Sequence, residues 1–458
     1  MGVVNFSGLS SGIDTKSIVE ALSKAEQAPI RALQRKKAVN NSHKSTYGQI
    51  ETMITNLKTH CEKFKDFDDF YAYSASATNS DSVLSATASG NSITGNYDIS
   101  VSQLASSQRD YSKSFSSKTS ALNISGTLTI QVGDDSDDAV NVTVASDATL
   151  SSLASTINSA NAGVTAGVMY DGSNYYLQIG GNAMGATDGA ITYSYSGGLS
   201  SSDLDLTTKK AATNATLTID TYSITSQTNA ITDVLPGTTL DLVGTGSSTV
   251  SVEADYTKIQ DNCQKLCDLY NAAVNRINSE LAFKGKGNKD SLQGDTTLRG
   301  LKAKLAAVVG EPIAALDGVT DYDSMPSAGF KSDKQGLLTI DSTVFQKAIK
   351  ADLTGVAKLF VSEDDVTGKF DEFETVVTNY TLLGEGSLWV KQNSIDTMNR
   401  SIDDQIVRLE SRVKEYEARL NRQFLRMEET MVKLKSQSSY LMQLAAMPMQ
   451  QSSGSGGS

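Results

Sequence analysis

The last part of the chain carries one long helical pattern of apolar positions. Between residues 388 and 446 they repeat every seven residues, in two adjoining rows. The rows are Ile406, Val413, Leu420, Met427, Leu434, Leu441 and Ile395, Ile402, Leu409, Tyr416. After Tyr416 the second row turns polar, and the stripe continues through Phe424 and Met431, a four-residue shift of the repeat. At about 1.5 Å per residue the pattern predicts a coiled-coil helix of about 90 Å, too long for one small domain to cover.

A second helical pattern covers residues 14–67. Asp14 is a good N-cap, and Pro29 predicts a break, because proline removes a helical hydrogen bond. Beyond the break one apolar stripe recurs at three- and four-residue steps. Its members are Tyr47, Ile50, Ile54, Leu57, Cys61 and Phe64. We expect the first part to pack against the long C-terminal helix through Ile18, Leu22 and Leu33.

Between residues 74 and 254 the apolar period changes to two, which predicts antiparallel, half-buried strands. The alternating residues are Tyr97, Ile99, Val101, Leu128, Ile130, Val132, Val140, Val142, Val144, Leu217, Ile219, Leu240, Leu242, Val250 and Val252. One helix interrupts them at Leu150, Leu153 and Ile157, and the glycine-rich residues 180–198 predict irregular loops. Helical spacing returns at about Tyr256.

These patterns predict an α+β multidomain chain in which β-rich outer domains are inserted between terminal helices. We expect a terminal coiled-coil stalk and a helical leg domain, each built from both ends of the chain. The predicted ranges are 1–46 with 395–450 for the stalk, 47–78 with 256–394 for the leg, 79–114 with 205–255 for the outer domain, and 115–204 for an inserted tip domain. Residues 451–458 resemble a linker or tag remnant.

The negative charge is concentrated in the strand-rich region. Residues 80–255 contain five Lys or Arg against 17 Asp or Glu, whereas the rest of the chain nets zero. Such a surface repels nucleic acid and anionic lipid, whose binding depends on Lys and Arg. The sequence has no run of about 18 apolar residues, so we expect no membrane insertion. It also lacks a secretory signal pattern.

No catalytic, cofactor or metal constellation stands out, and we expect no enzyme. Three cysteines make no disulfide framework, and Cys263 and Cys267, one helical turn apart, are expected to pack in a core. The acidic cluster at Asp134, Asp135, Asp137 and Asp138 lacks the glycine and terminal glutamate of a calcium loop, which favours a solvated turn.

Several short motifs occur in order along nearly the whole chain. They are FSGLSSGID (6–14), YDISVSQLA (97–105), INSANAGVTA (157–166), NAITDVLPGTTL (229–240), LQGDTTLR (292–299), QGLLTID (335–341), LNRQF (420–424) and SQSSYL (436–441). Together they resemble the flagellar filament cap family, also called hook-associated protein 2. The fourth and fifth motifs distinguish that family from other filament subunits.

The resemblance implies a homo-oligomeric ring, commonly a pentamer or hexamer, at the extracellular tip of the bacterial flagellum. It also implies contacts with flagellin, the filament tip, hook-associated proteins and an export chaperone, and type III export without a cleaved signal peptide. Two alternatives stay open: a hook–filament junction or flagellin-like subunit, and a surface adhesin or glycan-acting enzyme.

For self-association we expect the apolar residues of both terminal helices to matter most, because each one buried contributes about 1.5–3 kcal/mol. They are Ile18, Leu22, Leu33, Ile402, Ile406, Leu409, Val413, Leu420, Phe424, Met427, Met431, Leu434 and Leu441.

Overall fold

The computed structural model describes residues 12, 14–135, 138–283 and 291–445. Mixed helix and antiparallel sheet follow the predicted order, with helices at both ends and strands between them. The helices are α1 Thr15–Glu26, α2 Ala28–Cys61, α3 Phe67–Phe70, α4 Leu150–Ser159, α5 Ser201–Leu204, α6 Tyr256–Leu281, α7 Thr296–Gly310, α8 Ser342–Ala351, α9 Leu353–Phe360, α10 Lys369–Thr381 and α11 Ser387–Ala445.

The strands form four antiparallel sheets and one hairpin within the described residues. They are β1 Tyr73–Ala77, β2 Leu84–Ala88, β3 Gly95–Gln103, β4 Arg109–Tyr111, β5 Gly126–Val132, β6 Val140–Val144, β7 Val164–Tyr170, β8 Tyr175–Gly181, β9 Ile191–Ser196, β10 Thr207–Lys210, β11 Ala215–Ile219, β12 Tyr222–Ser226, β13 Ala230–Leu235, β14 Thr238–Leu242, β15 Gly246–Ala254, β16 Phe330–Ser332 and β17 Leu338–Ile340.

The N-terminal helical pattern divides where the sequence predicts. The Asp14 carboxylate accepts a hydrogen bond from the Ser17 backbone N–H at 3.0 Å and caps α1. Gln27 separates α1 from α2, and Pro29 lies in the first turn of α2, where a missing N–H costs nothing. The predicted cap and break are therefore confirmed.

The largest core joins α2 to α6, α7 and α10, and we call this helical unit the leg. Ile50, Ile54 and Leu57 of α2 are fully buried in it. Cys263 and Cys267 are also buried free thiols, and burial raises the pKa of Cys267 to about 12. Their predicted role as core residues is confirmed.

Two sheets enclose the core of the outer β unit. A five-stranded sheet has the order β1-β15-β3-β11-β12, and a three-stranded sheet has the order β13-β14-β2. Ile99, Val101, Val250 and Val252 alternate inward and are buried, as their period of two predicts.

The inserted unit has its own core between the sheets β10-β4-β8-β7 and β6-β5-β9, with α4 packed on β7. Because β4 and β10 belong to its sheet, the sheet is wider than the predicted range of 115–204. Both strands are short and polar and show no alternation that the sequence could reveal. The expected irregular loops at residues 180–198 are wrong in part, because β9 lies there and buries Ile191.

A loop of the inserted unit is fastened to the outer β unit by amide side chains. Gln227 Oε1 accepts hydrogen bonds from the Thr187 and Asp188 backbone N–H groups at 3.0 and 2.8 Å. Asn214 Oδ1 accepts one from Ala186 N–H at 2.6 Å. Gly185 has φ +95°, and an added Cβ there would lie 2.5 Å from Gln227 Cβ. We call this contact the amide latch.

Asp134, Asp135 and Asp138 are exposed in the turn between β5 and β6, and Asp137 lies outside the described residues. Among the described residues no three His, Cys, Asp or Glu side chains group in a way that could hold a metal ion. A search of the described helices finds none apolar and long enough to span a bilayer.

Candidate assembly surface on the terminal helices

Helices α2 and α11 run antiparallel, and paired polar side chains fix their register. Lys37 Nζ lies 2.7 Å from Asp403 Oδ2, and Lys44 Nζ lies 2.7 Å from Asp396 Oδ1. Towards the leg, Gln392 Nε2 donates to Glu51 Oε2 at 2.6 Å. The N-terminal and C-terminal helical regions therefore pack together as one antiparallel helical pair.

A buried asparagine pair lies between these two ion pairs. Asn40 Nδ2 donates to Asn399 Oδ1 at 2.9 Å, and Asn399 Nδ2 donates to Asn41 Oδ1 at 2.8 Å. Asn40 and Asn399 are 9% and 8% exposed. Because each amide is satisfied only in this alignment, the pair selects one register at some cost in stability. The helical periodicity, which marks apolar positions, gave no reason to select these residues.

Helix α1 continues the pairing along α11, but with a different face from the one predicted. Thr15, Val19 and Ser23 are buried, whereas Ile18 and Leu22 are 38% and 40% exposed. The expectation that Ile18 and Leu22 form the buried face of α1 within the chain is therefore wrong, whereas their role in self-association stays a prediction. An ion pair of 2.6 Å between Arg412 and Glu26 holds this arrangement.

Burial along α11 is lower towards its C-terminal end. Ile402 and Val413 are buried, and Met431, Leu434 and Leu441 are 41%, 55% and 65% exposed. The other predicted positions of α11, and Leu33 of α2, are half-buried. They are Ile406, Leu409, Tyr416, Leu420, Phe424 and Met427.

The antiparallel register explains this decrease. Glu26 lies opposite Arg412, so Thr15, eleven residues earlier, lies near position 424. Every residue of α11 from 431 to 442 is exposed. Other large apolar side chains, besides the predicted ones, are exposed beyond position 424. They are Leu425, Val432, Tyr440 and Met442. Met431, Leu434 and Leu441 share one side of α11, whereas Leu425, Val432 and Tyr440 lie on the other side. Exposed apolar side chains in this number are typical of a surface that binds another protein.

The base of α11 is anchored to the leg through Asp295, the N-cap of α7. The carboxylate accepts hydrogen bonds from the Leu298 backbone N–H and the Tyr47 hydroxyl, both at 2.8 Å, and lies 3.3 Å from Lys391 Nζ. Burial acts to raise the pKa of Asp295, but these partners outweigh it, and the pKa lies below its ordinary value. Burial and the same contact raise the pKa of Tyr47.

Family profiles match most of this architecture. One for the flagellar hook-associated protein 2 N-terminus matches residues 11–108, and one for its C-terminus matches residues 212–436. A profile for the flagellin hook IN motif matches residues 127–179, within the inserted unit. The A-type flagellar hook-associated protein 2 of Pseudomonas aeruginosa is 30% identical over 96% of this chain and 97% of its own length.

The chain belongs to the flagellar hook-associated protein 2 family. The hook-associated protein 2 of Escherichia coli K12 is 28% identical over 97% of this chain and 98% of its own. The crystal structure of the D1-D2-D3 domains of the E. coli flagellar cap protein FliD superimposes with a TM-score of 0.66. It is 28% identical and covers 77% of this chain and 99% of that one. The resemblance that the ordered motifs suggested is confirmed.

Proposed function

We propose that this chain caps the growing flagellar filament as a ring of five or six copies. Family membership supports the role as a filament cap. The exposed apolar side chains at the end of α11 support association as the mechanism. In this proposal, neighbouring copies and the filament tip bury the apolar stripe that a single chain leaves exposed. At about 1.5–3 kcal/mol per buried apolar side chain, this term outweighs exposed ion pairs of about 0–1 kcal/mol each.

The two chain ends would form the stalk, and the β units would form the plate above the filament opening. In this arrangement residues 1–46 and 395–450 belong to the stalk. Residues 47–72 and 256–394 belong to the leg, because β1 at Tyr73–Ala77 is part of the outer β unit and not of the predicted leg range 47–78. The outer and inserted β units lie between these segments in the chain. The chain order then follows the distance from the filament.

The proposed action is steric and non-covalent. The ring retains flagellin that leaves the export channel and promotes its polymerisation beneath the cap. Its other partners are the filament tip, the hook-associated proteins and, before type III export, a chaperone. No step in this scheme requires a cofactor or a covalent intermediate, so the energy comes from association alone.

The test changes the exposed stripe without touching the leg. In cells lacking the gene, a chain carrying Met431→Glu and Leu434→Glu should fail to restore long filaments, and flagellin should accumulate in the medium. Charges on this face would have to be buried when the stalk docks, which is costly. Electron microscopy of filament length and an immunoblot of released flagellin measure the outcome.

Ser411→Glu with Ala418→Glu is the matched control, because both residues are exposed, lie on α11 before its uncovered end and add the same charge. This control should restore filaments. Normal filaments with Met431→Glu and Leu434→Glu would exclude the stripe from the docking contact. Normal filaments in cells lacking the whole gene would refute the proposed function itself.

A further inference from the structure

Strand β12 is an open edge of the outer β unit. It is the last strand of the sheet β1-β15-β3-β11-β12, and β11 is its only strand partner among the described residues. The two strands form a hairpin with a two-residue turn, and Ile219 and Tyr222 are the pair next to that turn. Such a pair is hydrogen-bonded, and the residues that follow alternate between bonded and outward-facing backbone groups. The N–H and C=O groups of Ser223 and Thr225 therefore point away from the sheet.

Three other outer strands are protected against pairing. On β10 two lysines and a register shift protect the edge. On β7 the Asn158 side chain binds the N–H and the C=O of Ala166, at 2.7 and 2.8 Å. On β9 the Gln108 side chain binds the same two groups of Ile191, both at 3.0 Å. Charges, bulges and covered backbone groups are the usual protections of a sheet edge, and β12 carries none of them within the described structure.

The surroundings of β12 are uncharged. Residues 221–232 contain no Asp, Glu, Lys or Arg, although the whole chain has a net charge of −12. Tyr222 on this strand is 75% exposed, and Ile224 is half-buried. Like charges oppose the contact of two copies over most of this acidic region, but not at β12. The strand most suited to β12 is therefore a neutral one, and a second copy of β12 meets that requirement.

We propose that β12 docks against β12 of a second copy as an antiparallel pair centred on Ile224. Ser223 of each copy then lies opposite Thr225 of the other, and each of these pairs exchanges both of its backbone hydrogen bonds. The contact has two-fold symmetry and ends at two copies, because it uses the open β12 edge of each. So few hydrogen bonds are weak against the cost of association, so the contact is transient and leaves the mass of the dilute protein unchanged.

The proposed register brings one residue face to face with its own copy. Ile224 lies opposite Ile224 of the second chain as a pair without backbone hydrogen bonds, and the Cα atoms of such a pair are about 4.5 Å apart. Tyr222 lies opposite Ser226 instead. Because a disulfide needs Cα atoms about 4.4–6.8 Å apart, cysteines at position 224 would link two copies, whereas cysteines at position 222 alone would not.

The test compares rates of disulfide cross-linking in a mildly oxidising buffer, measured by non-reducing electrophoresis. Ile224→Cys should form linked dimers about tenfold faster than Tyr222→Cys, although random collisions would favour the more exposed position 222. Tyr222→Cys with Ser226→Cys in one chain should also link quickly, and this variant keeps Ile224 in the core. The native cysteines are buried, and circular dichroism checks folding. If neither variant links faster than Tyr222→Cys alone, the contact is wrong.

Protecting the edge provides the second arm of the test. Adding Ser223→Lys and Thr225→Lys to the Ile224→Cys chain should slow cross-linking about tenfold, because lysines on an edge strand oppose pairing. Ser74→Lys with Ser76→Lys, at exposed positions of β1 in the same sheet, is the matched control and should change the rate by less than about twofold. An unchanged rate with the lysines on β12 would overturn the contact. The proposed ring would stand in that case, because its test changes α11 and not β12.

Discussion

Asp295 connects three helices with one carboxylate. It caps α7, accepts the Tyr47 hydroxyl of α2 and pairs with Lys391 of α11. Its pKa lies below the ordinary value of about 3.9. A lowered folded-state pKa contributes stability that is complete above the unfolded value and is lost as pH falls through the folded one. This residue therefore makes the leg sensitive to acid.

We predict that Asp295→Asn lowers the melting temperature at pH 7 and that the gap to the parental chain narrows as pH falls below about 4. The parental chain loses the ionised contact in acid, whereas the variant has none to lose. Thermal unfolding followed by circular dichroism from pH 3 to pH 7 measures the gap. Asp404→Asn, at an exposed position of α11, is the control and should change little. A gap that stays constant with pH would contradict this role.

The buried pair of Asn40 and Asn399 allows a second prediction. Asn399→Leu should cost about 1–3 kcal/mol in the free energy of unfolding, because the buried Asn40 amide loses its partner. Asn40→Leu in the same chain should recover part of that loss, since two leucines leave no buried amide unsatisfied. Denaturant titrations of both variants give the comparison. A double variant less stable than the single would show that the pair contributes net stability beyond selecting the register.

At the scale of elements, long periodic patterns could be predicted and short polar ones could not. The start of α11 agrees with the sequence to within about one residue, because its repeat extends over many turns. Strands β4 and β10 were missed, since three or four polar residues carry no period. The buried face of α1 was also missed, because Thr15 and Ser23 are polar and a search for apolar positions does not select them.

The amide latch lets the orientation of the two β units be tested. We predict that Gln227→Ala broadens the distribution of distances between them, because the loop at Thr187 and Asp188 loses its acceptor. Spin labels on cysteines introduced at the exposed Thr143 and Ser223 report that distance by pulsed electron resonance.

The native cysteines are buried and should resist labelling. Thr228→Ala, next to the latch residue, serves as the control for a nearby truncation and should keep one narrow distance. An equally narrow distribution in Gln227→Ala would mean that the two connecting chain segments alone hold the units.

At the scale of the whole molecule, the parts of the described structure that have buried cores differ from the part that exposes an apolar surface. The leg and the β units bury their own apolar residues, whereas α11 exposes apolar side chains beyond residue 430. We therefore propose that the stability of the subunit is internal and that its function depends on its neighbours.

The most direct measurement is the mass of the full chain in solution compared with a version ending at residue 419. We predict a mass of five or six times 48.7 kDa for the full chain and a folded monomer for the shortened one, whose leg core is intact. A full chain that remains at 48.7 kDa at every concentration would contradict the account.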